Sequence, residues 1–162
     1  KSGSLEYSES GKPKGFVAKL FASKPEKPQV KRIYFGSRGS LQSAPYICLD
    51  HDAGIGDEGG DNEENIEISR TDHLDALMFV ANIYNKPDAR FGSYDGSVVV
   101  RSGLQQVEAP LTSHDQGAWA WIALVDCRGE QLRVINVNEV SSHQPSYDDF
   151  YKLLHTHLTS LI

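Results

Sequence analysis

Cysteine occurs only at Cys48 and Cys127 in this chain of 162 residues. Two thiols make no disulfide framework, and no Cys-x-x-Cys or Cys/His zinc spacing surrounds them. Each sits in or at the end of an apolar run, which favours a buried thiol over a ligand or nucleophile. No apolar run reaches the roughly 18 residues needed to cross a bilayer, so direct membrane insertion is not expected. No secretory signal with a basic start, apolar stretch and small-residue cleavage site is legible. Positive charge is also short: 16 Lys and Arg stand against 22 Asp and Glu, a net charge of −6. Nucleic acids and anionic membranes both call for a basic face, so neither is an expected partner. The sequence lacks GxSxG, HExxH and the phosphate-cradling GxxxxGK[ST]. These absences lead to the expectation of a cytoplasmic protein.

The residues that are present suit one globular domain. The length allows a sizeable core, and the 39% apolar and 23% charged shares are near the globular norm. Residues 1–30 are rich in Lys, Ser, Gly and Pro and read as an arm or linker, with one apolar island, Gly15 to Phe21. Lys24-Pro25-Glu26-Lys27-Pro28 reads as extended, because each proline fixes its own φ and restricts the residue before it. Residues 31–162 carry mostly β signals. "RIYF", "PYICL", "NIEIS", "SVVVR" and "QQVEAPL" are short strand candidates between turn residues.

"HLDALMFVANIY" is apolar enough for a strand buried on both faces. Leu77, Phe79, Ala81 and Ile83 point one way; Met78, Val80 and Tyr84 point the other. "GAWAWIALVDCRGEQLRVINVNEV" reads as a hairpin turning at Cys127 to Glu130, with Trp119, Trp121, Ala123 and Val125 on one face. The last segment, "PSYDDFYKLLHTHLTSLI", reads as a helix with Pro145 in its first turn. Phe150, Leu153, Leu154, His157, Leu158 and Leu161 form one apolar stripe along it. His155 and His157 fall on different faces and cannot pair as ligands. Seven or eight short strands with a terminal helix predict a mainly β protein, a β-sandwich with a C-terminal helix.

One stretch stands apart. "LDHDAGIGDEGGDNEENIEIS", Leu49 to Ser69, holds eight carboxylates and four glycines, with no Lys or Arg until Arg70. Packed carboxylates repel and raise one another's pKa. Calcium, a hard cation taking six to eight oxygens, removes that repulsion. Glycines let the backbone turn its carbonyls inward. The EF-hand does not fit: counting from Asp50 puts Ile55 at the required glycine, counting from Asp52 puts Asp57 there, and counting from Asp57 puts Ile68 at the required final glutamate. Spacing alone leaves three readings open, namely a calcium cage, a solvated acidic loop and a catalytic magnesium site.

The motif string narrows the choice. Phe35-Gly36-Ser37, Pro45-Tyr46-Ile47, Leu49-Asp50, Asp52, Gly56, Glu64-Asn65-Ile66 and the strand from Phe79 to Tyr84 resemble the bacterial TerD family of tellurite-resistance and stress-response proteins, in particular its TerA branch. The resemblance runs from about Arg32 to Val140. It implies a β-sandwich whose acidic loops bind calcium, usually two ions, with no catalytic activity. It carries over Asp52, Gly56 through its carbonyl, Asp57, Asp61 and Glu64 as calcium ligands, with Asp50 at the strand end. Other proteins of a stress-response complex and a second copy of the chain are the partners it allows. Two features depart from the family. The early Asp-Leu-Asp-Leu strand, whose aspartates help hold metal, has no counterpart here, and the helix from Pro145 does not match the branch's ending. The alternative is a metal-free interaction module that uses the stripe from Phe150 to Leu161.

Overall fold

Alternating apolar and β-branched runs resolve into strands, and the one helical stripe into a helix. A computed structural model describes residues 2–9, 29–50, 64–83, 90–93 and 96–158. In chain order the described strands are β1 (Ser2–Glu9), β2 (Gln29–Ile33), β3 (Gly39–Ser40), β4 (Ile47–Leu49) and β5 (Ile66–Ile68). They continue as β6 (Leu74–Asn82), β7 (Ser97–Ser102), β8 (Gln105–Pro110), β9 (Trp119–Asp126) and β10 (Arg133–Ser141), followed by helix α1 (Tyr147–Leu158). The protein is mainly β with a C-terminal helix, as the patterning predicts.

A five-stranded antiparallel sheet in the order β10-β9-β6-β1-β2 forms the centre. Its two faces are covered differently. On one face Ala76, Met78 and Val80 of β6, with Trp121 and Leu124 of β9, pack under Phe150, Leu153 and Leu158 of α1. On the other face lie two smaller sheets. The three-stranded β3-β4-β5 sheet puts Ile47 and Leu49 against Leu74, Leu77 and Val125. Residues of the β7-β8 hairpin and the segment after it, Ala109 and Leu111, join Phe91 against Ile83, Ala120 and Ile122. The arrangement is sandwich-like, with β6 buried on both sides as its sequence requires.

Three details depart from the sequence reading. The first is β1, which lies within residues 1–30 yet pairs with β6 on one side and β2 on the other. "SGSLEYSE" has too little apolar alternation to announce a strand. Its place follows from backbone pairing, since the edge of a buried strand such as β6 must have its N–H and C=O groups satisfied. The Gly15 to Phe21 island and the Lys24 to Pro28 stretch lie outside the described residues.

The second departure is in β9. Trp119 and Trp121 face the helix, but Ala123 and Val125 face the smaller sheets. A bulge causes the switch. The β6 partners jump from Ala123 to Trp121 between Phe79 and Val80, so Ile122 is unopposed and the alternation inverts across it. The neighbouring β10 is irregular at the same level, where Asn138 has a φ of 52°. Asn138 Oδ1 there accepts the N–H groups of Thr112 and Ser113 at 2.9 and 3.0 Å.

The third departure is at the helix start. Pro145 precedes the helix, and Ser146 caps it. Ser146 Oγ accepts the Asp149 N–H at 3.2 Å while Asp149 Oδ2 accepts the Ser146 N–H at 2.9 Å. This reciprocal pair is a capping box, and it holds the Asp149 carboxyl below the usual range. Ser146→Ala is expected to cost about 1 kcal/mol, read as a lower denaturant midpoint at unchanged slope.

Among the described residues the apolar stripe of α1 packs within the chain itself, and Leu161 lies outside the described residues. Phe150 is fully buried and Leu153 and Leu158 nearly so. His157 is half-buried with Nε2 3.9 Å from Glu139 Oε1, and His155 is exposed on another face.

Candidate metal centre

The acidic loop is the connection between β4 and β5, which pair antiparallel in the register Ile47 to Ile68, Cys48 to Glu67 and Leu49 to Ile66. Ile47 and Leu49 are anchored in the core. Alternation therefore turns Cys48 and Asp50 away from that core side, and the chain leaves β4 at Asp50 and returns at Glu64. Of the calcium ligands implied by the resemblance, Asp50 and Glu64 are described, and pairing brings both to the mouth of the loop. Asp52, Gly56, Asp57 and Asp61, with His51, lie outside the described residues. Among the described residues no group of three or more His, Cys, Asp or Glu is placed to hold a metal.

The mouth is tightly bonded. Asn65 donates its backbone N–H to Asp50 Oδ1 and its side-chain Nδ2 to Asp50 Oδ2, both at 3.1 Å. The Asp50 N–H donates back to the Asn65 carbonyl at 3.0 Å. Arg38, just ahead of β3, reaches across β4 and donates to the Asp50 carbonyl at 2.9 Å. Glu64 is half-buried, with Oε1 shielded from solvent. These donors are hard oxygens, the chemistry that suits calcium or magnesium rather than zinc.

The opposite end of the hairpin has another polar group. His73 Nε2 lies 2.8 Å from the Pro45 carbonyl, and a carbonyl only accepts, so that nitrogen carries a proton. The imidazole meets the Tyr46 ring edge-on, and Arg70 stacks over the same ring at 4.9 Å. Arg70 also forks onto Asp72 at 2.7 and 3.0 Å, which pulls the Asp72 carboxyl down and the Arg70 guanidinium up. This group ties β4 to the start of β6.

Two further constellations have the residue types of catalysis and a local structural role. Ser141 Oγ lies 3.2 Å from His143 Nδ1, and His143 Nε2 is 3.9 Å from Asp149 Oδ2. Ser141 Oγ, however, donates to the His143 carbonyl and accepts its N–H, a local turn. Asp149 belongs to the helix cap, and the His143 side chain is 72% exposed, so water competes for every polar atom. The second is Cys127. Burial, followed by the charges of Asp126 and Asp75, pushes its thiol up to about 12, which leaves no thiolate at neutral pH. Both thiols, Cys48 and Cys127, are only partly buried, short of the full burial that the sequence suggests.

The sequence reading missed Asp126. At the end of β9, its carboxylate accepts Arg128 N–H and Nε on Oδ1 at 3.1 and 2.9 Å. Oδ2 accepts from Arg128 and Arg133 at 3.2 and 2.9 Å. The available signal was an aspartate ending an apolar strand with two arginines within the next seven residues.

Comparison of the chain with protein-family models, curated proteins and solved structures gives no significant match.

Proposed function

We propose that this chain is a calcium-binding, non-enzymatic module of the tellurite-resistance and stress-response type, with a structural or scaffolding role. One observation carries the reading. Seven of the eight carboxylates fall between Asp50 and Asn65, and these two ends of the connection are bonded together beside the β4–β5 pairing. Ligands from a short closed loop converge with less ordering than ligands from separate parts of an open chain. Asp52, Asp57, Asp61 and Glu64 supply the charge, and the Gly56 carbonyl supplies a neutral oxygen. The motif string that resembles TerD supports calcium over a merely solvated loop. Its β-sandwich expectation agrees in class with the mainly β fold. In this reading calcium cancels the repulsion among the carboxylates and links folding to the cation.

The test is a melting curve with calcium or with chelator. Calcium at about ten times its dissociation constant stabilises by about 1.4 kcal/mol, an expected rise of about 3–5 °C for a chain of this size. Magnesium, smaller and slower to shed water, is expected to do less. An unchanged melting temperature in millimolar calcium, together with no heat of binding, would overturn the reading.

A further inference from the structure

The five-stranded sheet ends in two strands of different character. β2 is short and carries Lys31 and Arg32. β10 is nine residues long and holds the β-branched residues Val134, Ile135, Val137 and Val140. Among the described residues no strand pairs with its outer side. A long edge of this composition is a template on which another strand adds. The backbone of β10 is interrupted at one point. Asn138 is left-handed, with a φ of 52°, where Val137 and Asn138 together stand opposite Ile122. Asparagine adopts this conformation more readily than most residues with a side chain, and here three hydrogen bonds fix it. Its Oδ1 accepts the N–H groups of Thr112 and Ser113, and its Nδ2 donates to Thr112 Oγ1 at 3.0 Å. That segment is itself anchored. Leu111 is buried, Gly92 donates its N–H to the Ser113 carbonyl at 2.9 Å, and Arg90 donates to the His114 carbonyl.

We propose that the outer edge of β10 is a self-pairing surface for a second copy of this chain, and that Asn138 is the lock that keeps it shut. A docking strand needs an extended neighbour, because it bonds to N–H and C=O groups set along a continuous line. The left-handed Asn138 turns its own groups off that line and divides the edge into two short pieces. The anchored Thr112 and Ser113 amides hold the kink against straightening. A second copy is the occupant that the charges of β10 favour. Antiparallel pairing of two straightened β10 strands about a two-fold axis at Asn136 sets Arg133 of each chain opposite Glu139 of the other, and Ile135 opposite Val137. Opposite charges and β-branched pairs placed directly across from each other both stabilise such a ladder, and a two-fold axis closes the assembly at a dimer.

The experiment uses the full chain and reads its mass by sedimentation equilibrium, with circular dichroism to show that each variant folds. The wild type is expected at the mass of a single chain. Asn138→Val favours extended backbone and is expected to double that mass. Asn138→Gly is expected to double it as well, at higher protein concentration. Glycine tolerates the left-handed backbone, so this variant folds even where the valine variant does not, but the three hydrogen bonds that fix the kink are gone. Asn138→Asp keeps the Oδ1 acceptor and is expected to stay monomeric. Adding Asn136→Lys to either dimeric variant sets two like charges opposite each other on the two-fold axis and is expected to restore the single-chain mass. Folded Asn138→Val or Asn138→Gly chains that remain at the wild-type mass overturn the lock. Asn138→Asp dimerising as readily as Asn138→Val overturns the role of Oδ1. A variant dimer that Asn136→Lys leaves intact pairs through another surface and overturns the self-pairing edge. A wild-type dimer that Asn136→Lys dissociates shows an edge already open, and that too overturns the lock.

Discussion

Phe150→Ala is expected to destabilise the fold by about 3–5 kcal/mol, the usual cost of emptying a large aromatic site in a core. Phe150 has no exposed surface and packs with Ala76, Met78, Val80, Trp121 and Leu124. Those neighbours come from β6 and β9, inner strands of the five-stranded sheet, and cannot move in to fill the space without breaking pairing. A domain holds only about 5–15 kcal/mol in total, so much of the stability goes with this one ring. Urea unfolding followed by tryptophan fluorescence is a suitable probe, because Trp119 and Trp121 belong to or border the same cluster. A loss below about 1 kcal/mol would mean that the helix is not docked in solution. Its apolar stripe would then be free for another protein, as the metal-free interaction reading requires.

Asp126→Ala is expected to cost about 2 kcal/mol at pH 7, for a different reason. The change leaves Arg128 and Arg133 without the carboxylate that they share. Hydrogen bonds to a charged group contribute about 1.5–3 kcal/mol. The lower part of that range applies because the Asp126 side chain is 12% exposed but the arginine side chains are 42% and 39% exposed, so water takes up the charges left behind. The hydrogen bonds from Arg128 hold the Asp126 carboxyl below its usual range against the opposing effect of burial. The sign of the pH dependence follows from that depression. The stabilisation is fully present above the unfolded value of about 3.9 and is lost as pH falls through the lower folded value. The stability gap between wild type and Asp126→Ala should therefore be constant from pH 7 to about pH 5 and close below about pH 4. A gap that persists unchanged at pH 2.5 would show that ionisation of Asp126 is not its source.

Much of the strand pattern was legible because burial leaves a periodic trace. β6 reads as a two-faced buried strand from its apolar run, and α1 reads as a helix from its stripe. Burial of Ile66 and Ile68 against the core follows from simple alternation. What escaped has no periodic trace. β1 is held by its backbone between two partners, and "SGSLEYSE" has few apolar residues to betray it. The inversion in β9 arises from one unopposed residue, Ile122, which the apolar run "WIALV" cannot distinguish from its neighbours. Of the candidate site, the concentration of charge was plain in the sequence. The Asp50–Asn65 bonding was not, because it depends on which residues stand opposite each other once β4 and β5 are in register.

The sequence alone determined the mainly β class, the terminal helix, the doubly buried β6 and the acidic, glycine-bearing connection. Each is set by composition and by the spacing of apolar residues, which local chain geometry converts directly into a face. Only the tertiary structure decided the sheet order, the place of β1, the face switch at Ile122, the sharing of Asp126 by two arginines and the meeting of Arg38, Asp50 and Asn65. Those depend on strand register and on which edge meets which, and pairing between distant segments is fixed by the satisfaction of backbone groups and the closure of a shared core.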